Sequence, residues 1–159
     1  GIVTTGTQNF AGAKTFTNDL VVNSVKIGLG VGNNDQNTAI GNGALGTGTG
    51  TRNTAVGYGS LRNYSGTSFD NNTSVGYWNF PSLTTGQQNT SIGAEAMLAL
   101  QTGNANTAIG AQTLLNTTGN NNTAIGMQSL YSATGGSNTA VGSFTLLWRE
   151  SEMLELLIL

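Results

Sequence analysis

The sequence contains no cysteine and no histidine, and only five of its 159 residues are basic. The missing cysteine and histidine exclude disulfides, Cys/His zinc sites, thiolate nucleophiles and any catalytic relay that uses imidazole. Nucleic-acid binding needs clustered cations that neutralise phosphates, and these five are scattered. No apolar run reaches the length of about 18 residues that a membrane span requires. We therefore expect no metal, no cofactor, no nucleic-acid partner and no membrane span.

Charged residues are scarce as well, at 8 % of the chain, whereas glycine occupies 24 positions. Disordered chains combine low hydrophobicity with high net charge. Here the net charge is only −2, and the hydrophobic residues, at 37 %, recur at regular intervals. This regularity predicts a folded repeat protein.

A nine-residue motif recurs seven times, at intervals of 16, 19, 17, 17, 16 and 16 residues. It reads NTAIGNGAL in the first copy and NTAIGMQSL in the sixth. This period is too short for helix-pair repeats, and recurring glycine and asparagine disfavour helix. The structural repeat positions are Asn37, Asn53, Asn72, Asn89, Asn106, Asn122 and Asn138, with Gly41, Gly57, Gly76, Gly93, Gly110, Gly126 and Gly142.

Each copy predicts a short strand, a turn, a second short segment and a glycine-rich turn, which together form one coil. The fold class is therefore all-β, a parallel β-roll or solenoid of 16–17-residue coils. Alternate strand residues point to opposite faces, so the small Ala or Ser lies on one face and the large Ile or Val on the other. Both faces are therefore apolar, and we expect both to be packed against other residues. We predict that the large residues stack in one buried column: Ile40, Val56, Val75, Ile92, Ile109, Ile125 and Val141. Because few apolar side chains remain per coil, we expect identical chains to associate.

The composition divides the chain into a lead-in or neck at 1–34, the repeat array at 35–146 and an atypical segment at 147–159. The last segment lacks glycine and asparagine and is rich in leucine and glutamate. One interpretation is a short helix or plug with an apolar face of Leu147, Met153, Leu154 and Leu157. The other is a truncated or abnormal end that hides its apolar residues wherever it can.

The repeats resemble those of trimeric autotransporter adhesin heads, which read N-S-x-A-I-G. They are even more similar to phage-type tail fibres and related bacterial tail-fibre proteins, in which N-T-A-x-G-x-x-A-L units are joined by T-T-G-x-N-N turns. The lead-in at Thr4–Asn34 is similar to the segment before such arrays. The resemblance implies a homotrimer of left-handed parallel β-rolls packed around a three-fold axis, serving as a fibre shaft or an adhesive head.

The resulting functional hypothesis is an extracellular structural and adhesive fibre, on a virion tail, a cell surface or a secreted filament, with a cell-surface receptor or glycan as partner. The main alternative is a purely structural filament subunit without a receptor site. Ice binding is a weaker alternative, since one threonine recurs per coil but a second threonine column is missing. Glycoside hydrolysis needs a pair of neighbouring carboxylates. The acids of the array after Asp35 are Asp70 and Glu95, and they lie in different copies. We therefore expect that the chain is not an enzyme and has no catalytic residues.

Aromatic residues cluster around the one copy that carries an insertion, and insertions in repeat proteins are often at binding faces. Rings beside amides and carboxylates suit a sugar, because rings cover apolar sugar faces and polar groups meet hydroxyls. The alternative is that the rings only fill space where the coil widens. The candidate receptor or glycan contacts are Tyr64, Phe69, Asp70, Tyr77 and Trp78.

Overall fold

The computed structural model describes residues 12, 20–30, 34–47, 49–65 and 70–149, and within these ranges the chain is all-β. It forms a parallel β-solenoid of about six turns with coils of about 16 residues. One nine-stranded sheet runs along the solenoid in the order β1-β2-β3-β4-β5-β6-β7-β8-β10, and a second small sheet pairs β9 with β11. The strands are β1 (Leu20–Val22), β2 (Val25–Gly28), β3 (Thr38–Ile40), β4 (Thr54–Val56), β5 (Thr73–Val75), β6 (Thr90–Ile92), β7 (Thr107–Ile109), β8 (Thr123–Ile125), β9 (Ser132–Ala133), β10 (Thr139–Val141) and β11 (Trp148–Arg149).

An antiparallel hairpin covers the first edge of the long sheet. Strands β1 and β2 are joined through Asn23 and Ser24, which both have positive φ, at 47° and 68°. Two consecutive left-handed residues are the conformation of a tight hairpin turn whose twist matches that of the strands. Strand β2 then pairs antiparallel with β3, with Ile27 opposite Ile40. The end of the lead-in thus joins the sheet of the repeat array.

The parallel strands are in exact repeat register, since each threonine, small residue and large aliphatic residue pairs with its counterpart one coil away. The small residues face inward and are buried, at 0–5 % exposure. The large aliphatic residues stack in a column, as predicted, but within a single chain this column is not buried, contrary to the prediction. It faces outward, and its last four members are 37–66 % exposed: Ile92, Ile109, Ile125 and Val141.

The interior has room only for small strand residues because the opposite wall of the coil fills it. That wall supplies one large side chain per coil at the ninth motif position, and six of them are 0–1 % exposed: Leu45, Leu61, Phe80, Met97, Leu114 and Leu130. All six have positive φ between 45° and 55°. Left-handed backbone costs these residues about 1 kcal/mol or more each, so burial of the side chain must offset that strain.

The motif asparagines form a buried ladder along the solenoid. In each step the Oδ1 atom of one asparagine accepts the backbone N–H of the next, at 2.8–3.0 Å. The Nδ2 group of Asn89 also donates to the carbonyl of Gly103 in its own coil, at 2.8 Å. Asn37, Asn72, Asn106 and Asn122 make the same bond to Gly50, Gly86, Gly119 and Gly135, so in these five coils the asparagine and the late glycine form one structural unit.

The solenoid continues beyond the last motif. Strand β11 pairs in parallel with β9, which places Trp148 opposite Ser132 and Arg149 opposite Ala133. These pairs are one coil apart, so the first residues of the atypical segment extend the array rather than begin a helix. The predicted apolar helical face depends on residues 150–159, which lie outside the described part of the chain.

Candidate functional site

Three aromatic residues of the second and third coils form one cluster. Tyr58 and Tyr77 occupy the sixth motif position, directly after the glycine that ends each strand, and their rings stack with centroids 5.8 Å apart and planes 17° apart. Trp78 meets Tyr58 edge-on, with centroids 5.8 Å apart at 71°. The two tyrosines are 44 % and 55 % exposed, so the stack lies on the surface. We call Tyr58, Tyr77 and Trp78 the aromatic cluster.

Two residues of the preceding coil, Gly59 and Arg62, position the Trp78 ring. A methyl group built on Gly59 would lie 3.3 Å from two indole carbons of Trp78, so the ring lies across this glycine. The Arg62 guanidinium carbon is 5.3 Å from the centroid of the Trp78 ring, which is cation–π distance. Trp78 is therefore held by its neighbours, whereas the Tyr77 ring is left more open to solvent.

The tyrosine stack ends at Ala94, the next residue in the same column. Backbone hydrogen bonds from Glu95 to Tyr77 and from Gln112 to Ala94, at 3.0 and 2.9 Å, keep the successive turns in register. Ala94 is exposed and carries only a methyl group. The ring face that Tyr77 directs towards the later coils therefore meets no aromatic partner from that coil.

A ladder of polar side chains runs beside this column. Gln112 donates from Nε2 to Oε2 of Glu95 at 2.9 Å, and Gln128 donates from Nε2 to Oε1 of Gln112 at 2.7 Å. These residues occupy the seventh motif position, directly after the column of Ala94, Ala111 and Met127. We call them the polar ladder. Sequence reasoning missed this feature, although a long polar side chain recurs at that position in three successive copies.

The five predicted contact residues are not brought together on one surface. Tyr77 and Trp78 belong to the aromatic cluster, whereas Tyr64 and Asp70 are buried at 0 % and 1 % exposure. Burial, and then the neighbouring Asp70 carboxylate, raise the pKa of the Tyr64 hydroxyl. Because a buried ring cannot stack on a sugar, Tyr64 and Asp70 support the coil from inside. Phe69 lies outside the described residues.

The two acids considered for hydrolysis lie in different surroundings. Asp70 is inside the coil, where its Oδ2 accepts the backbone N–H of Thr51 at 3.1 Å. Glu95 belongs to the outer polar ladder. The described residues contain no group of three or more His, Cys, Asp or Glu side chains that could hold a metal ion. The site presents exposed tyrosine ring faces and side-chain hydrogen-bonding groups.

A second surface feature is the outer face of the long sheet. Threonine and the large aliphatic residue of each strand point outward on either side of the buried small residue, so they form two parallel columns along the solenoid. We call this the Thr–Ile/Val face. Its threonines are Thr38, Thr54, Thr73, Thr90, Thr107, Thr123 and Thr139.

Comparison of the chain with protein-family models, with curated proteins and with solved structures found no match. Across the part of the chain that the structure describes, there is no helix with the length and hydrophobicity needed to cross a bilayer. The functional argument therefore depends on the chain's own residues.

Proposed function

We propose that this chain is a repeat section of an extracellular structural and adhesive fibre, resembling a tail fibre or adhesin, that works as a homotrimer. The observation that carries the proposal is the outward column of Ile and Val side chains along the Thr–Ile/Val face. A continuous apolar row on the surface of a soluble protein is typical of an interaction site. A second copy of the chain carries the same row at the same spacing, which makes it a fitting partner.

We infer the number of three chains and the left-handed coil from the resemblance of the repeats to trimeric fibre proteins. The exposed row alone would serve a dimer equally well. A three-fold arrangement places one Thr–Ile/Val face from each chain towards a common axis and leaves three outer surfaces. The fibre would reside on a virion tail, a cell surface or a secreted filament.

The aromatic cluster provides the adhesive part of the proposal. The left-handed glycine at the end of each strand, with φ of 121° at Gly57 and 146° at Gly76, turns the chain away from the sheet. The rings that follow therefore lie beside the Thr–Ile/Val face and stay accessible when those faces associate. Exposed stacked tyrosines suit a receptor or glycan on a cell surface. We propose no catalytic residue and no cofactor.

A purely structural filament is the second candidate, and the stacking of Tyr58 on Tyr77 favours it. Each ring covers one face of the other, which is the arrangement expected if the rings fill space. The two candidates differ in cell binding. An adhesive fibre binds target cells through this surface, whereas a shaft assembles in the same way and binds none.

The threonine column is the observation that favours ice binding, because threonines on neighbouring strands lie one coil apart in exact register. The accompanying column is Ile or Val and not a second threonine. A freezing-point assay on the purified chain separates this function from fibre assembly. Lack of any thermal hysteresis is the result we expect.

Static light scattering on the purified chain tests the central proposal. We expect the mass of three chains at micromolar concentration, together with β-type circular dichroism. A well-folded monomer under the same conditions would contradict it. Binding of fluorescently labelled protein to candidate host cells then distinguishes the adhesive fibre from the purely structural one.

A further inference from the structure

At the sixth motif position two small side chains lie between the larger side chains of Tyr77 and Met127, and we call this stretch of the surface the trough. Its floor consists of Ala94 and Ala111, which occupy the sixth motif position in two successive coils. The larger side chains of Tyr77 and Met127 occupy that position in the flanking coils and are 55 % and 45 % exposed. Three coil steps separate them, or about 14 Å at the spacing of neighbouring strands. The polar ladder borders the trough along its length.

The geometry points to this trough as a binding site for an uncharged, hydroxyl-rich oligosaccharide, and the assignment deepens the adhesive part of the proposed function. The open face of the Tyr77 ring provides an apolar surface against which one sugar ring stacks. Ala94 and Ala111 leave space for the following units of the chain. A length of about 14 Å accommodates a short oligosaccharide rather than a single sugar.

The polar ladder provides the hydrogen-bonding side of the site. Gln112 uses one of its two amide hydrogens to bind Glu95, so the other is available for a hydroxyl oxygen. Glu95 accepts this bond on Oε2, and its carboxylate retains acceptor capacity for hydroxyl donors. The bonds within the ladder hold the side chains in place before a ligand arrives, which reduces the entropy lost on binding.

The charge of the site favours an uncharged glycan over a sialylated or sulfated one. The Glu95 carboxylate lies beside the trough and repels anionic groups. Arg62 is on the other side of the tyrosine stack, where its guanidinium packs over the Trp78 ring. A hydroxyl-rich uncharged ligand satisfies Glu95 without introducing a second negative charge.

A glycan array that displays uncharged hexose oligosaccharides beside their sialylated counterparts tests the assignment on the full chain. We expect binding to uncharged members, and we expect Tyr77→Ala and Ala94→Leu each to weaken it at least about tenfold. Tyr77→Ala removes the stacking surface, whereas Ala94→Leu keeps the ring and fills the trough. The matched control is Phe144→Ala, which removes another exposed aromatic ring outside the trough and should leave binding unchanged.

The charge argument has its own variant. Glu95→Gln removes the negative charge but retains an oxygen that accepts the bond from Gln112, so the preference for uncharged over sialylated glycans should fall at least about fivefold. Preference of the unaltered chain for sialylated glycans would overturn the assignment, and so would binding that both trough variants leave intact. Light scattering on the same samples reports assembly independently. If the Ala94→Leu variant forms a trimer and still adheres to cells, the assignment of the trough as the glycan site is wrong, whereas the proposed function as an adhesive fibre holds.

Discussion

The side-chain amide of Asn106 donates a 3.1 Å hydrogen bond to the Oδ1 atom of Asn89, one coil earlier. The same oxygen accepts the backbone N–H of Asn106 at 2.9 Å. Both side chains are fully buried. The ladder thus connects neighbouring coils through a side chain that must both donate and accept.

Replacement of this donor should destabilise the solenoid. Asn106→Asp removes the amide bonds to Asn89 and Gly119 and places a carboxylate against an acceptor oxygen. We expect a loss of at least about 2 kcal/mol in the free energy of unfolding, measured by urea titration with circular dichroism. The control is Asn104→Asp, which alters an exposed asparagine bonded to Asn120 and should cost less than about 1 kcal/mol. Equal losses in the two variants would contradict the role of the ladder.

The strand-ending glycines should tolerate no side chain. A methyl group on Gly93 would lie 2.3 Å from the carbonyl oxygen of Gly110, and the φ of Gly93 is 141°. Gly93→Ala should therefore cost at least about 3 kcal/mol through clash and backbone strain together. At Gly135, with φ of 94°, a methyl group meets nothing within 4 Å. Gly135→Ala should cost only about 1–2 kcal/mol from the backbone, and thermal melts of both variants give the comparison.

The outward aliphatic column should control assembly without controlling the fold. Ile109 is 37 % exposed, so a charge at this position remains solvated in a single chain but would be buried unpaired in an assembly. We expect Ile109→Asp to raise the dissociation constant of the oligomer at least about 100-fold, with the β-type spectrum retained. The exposed Asn116 of the same coil provides the control variant Asn116→Asp. If Ile109→Asp leaves the mass in light scattering unchanged, the column is not the interface.

Tyr64 should make stability depend on alkaline pH. Its hydroxyl pKa is raised by burial and by the neighbouring Asp70 carboxylate, so it stays protonated in the folded chain where the unfolded chain ionises. The contribution is fully present below the unfolded value of about 10 and is lost as the pH rises above it. Urea melts at about pH 8 and about pH 11 should show a smaller loss of stability for Tyr64→Phe than for the unaltered chain. The same loss in both would refute this linkage.

The alternation of small and large residues along each strand predicted one property of the fold and not another. Period-two alternation correctly placed Ala124 and Ile125 on opposite faces. It could not say which face is the interior, because hydrophobicity alone favours burial of isoleucine. The decision comes from the opposite wall, where the fully buried side chains of Leu114 and Leu130 already occupy the interior and leave room only for small strand residues.

In the candidate site, too, the sequence did not predict which side chains the fold exposes. Clustering along the chain singled out Tyr64 and Tyr77 alike, but the fold buries Tyr64 and exposes Tyr77. The polar ladder joins residues 16 or 17 positions apart, and its partners become neighbours only when the coils stack. Local composition therefore predicted Tyr77 and Trp78 of the candidate site and missed Tyr58 and the three residues of the polar ladder.

The sequence by itself determined the parallel coils, their period and their register, because asparagine, glycine and small residues recur where each coil requires a buried amide, a left-handed turn and a narrow strand. The tertiary structure alone decided which side of each strand faces solvent and which side chains form the trough. These properties depend on the volume enclosed between two walls of a coil and on contacts between coils. The spacing of residues along one strand predicts neither the enclosed volume nor these contacts.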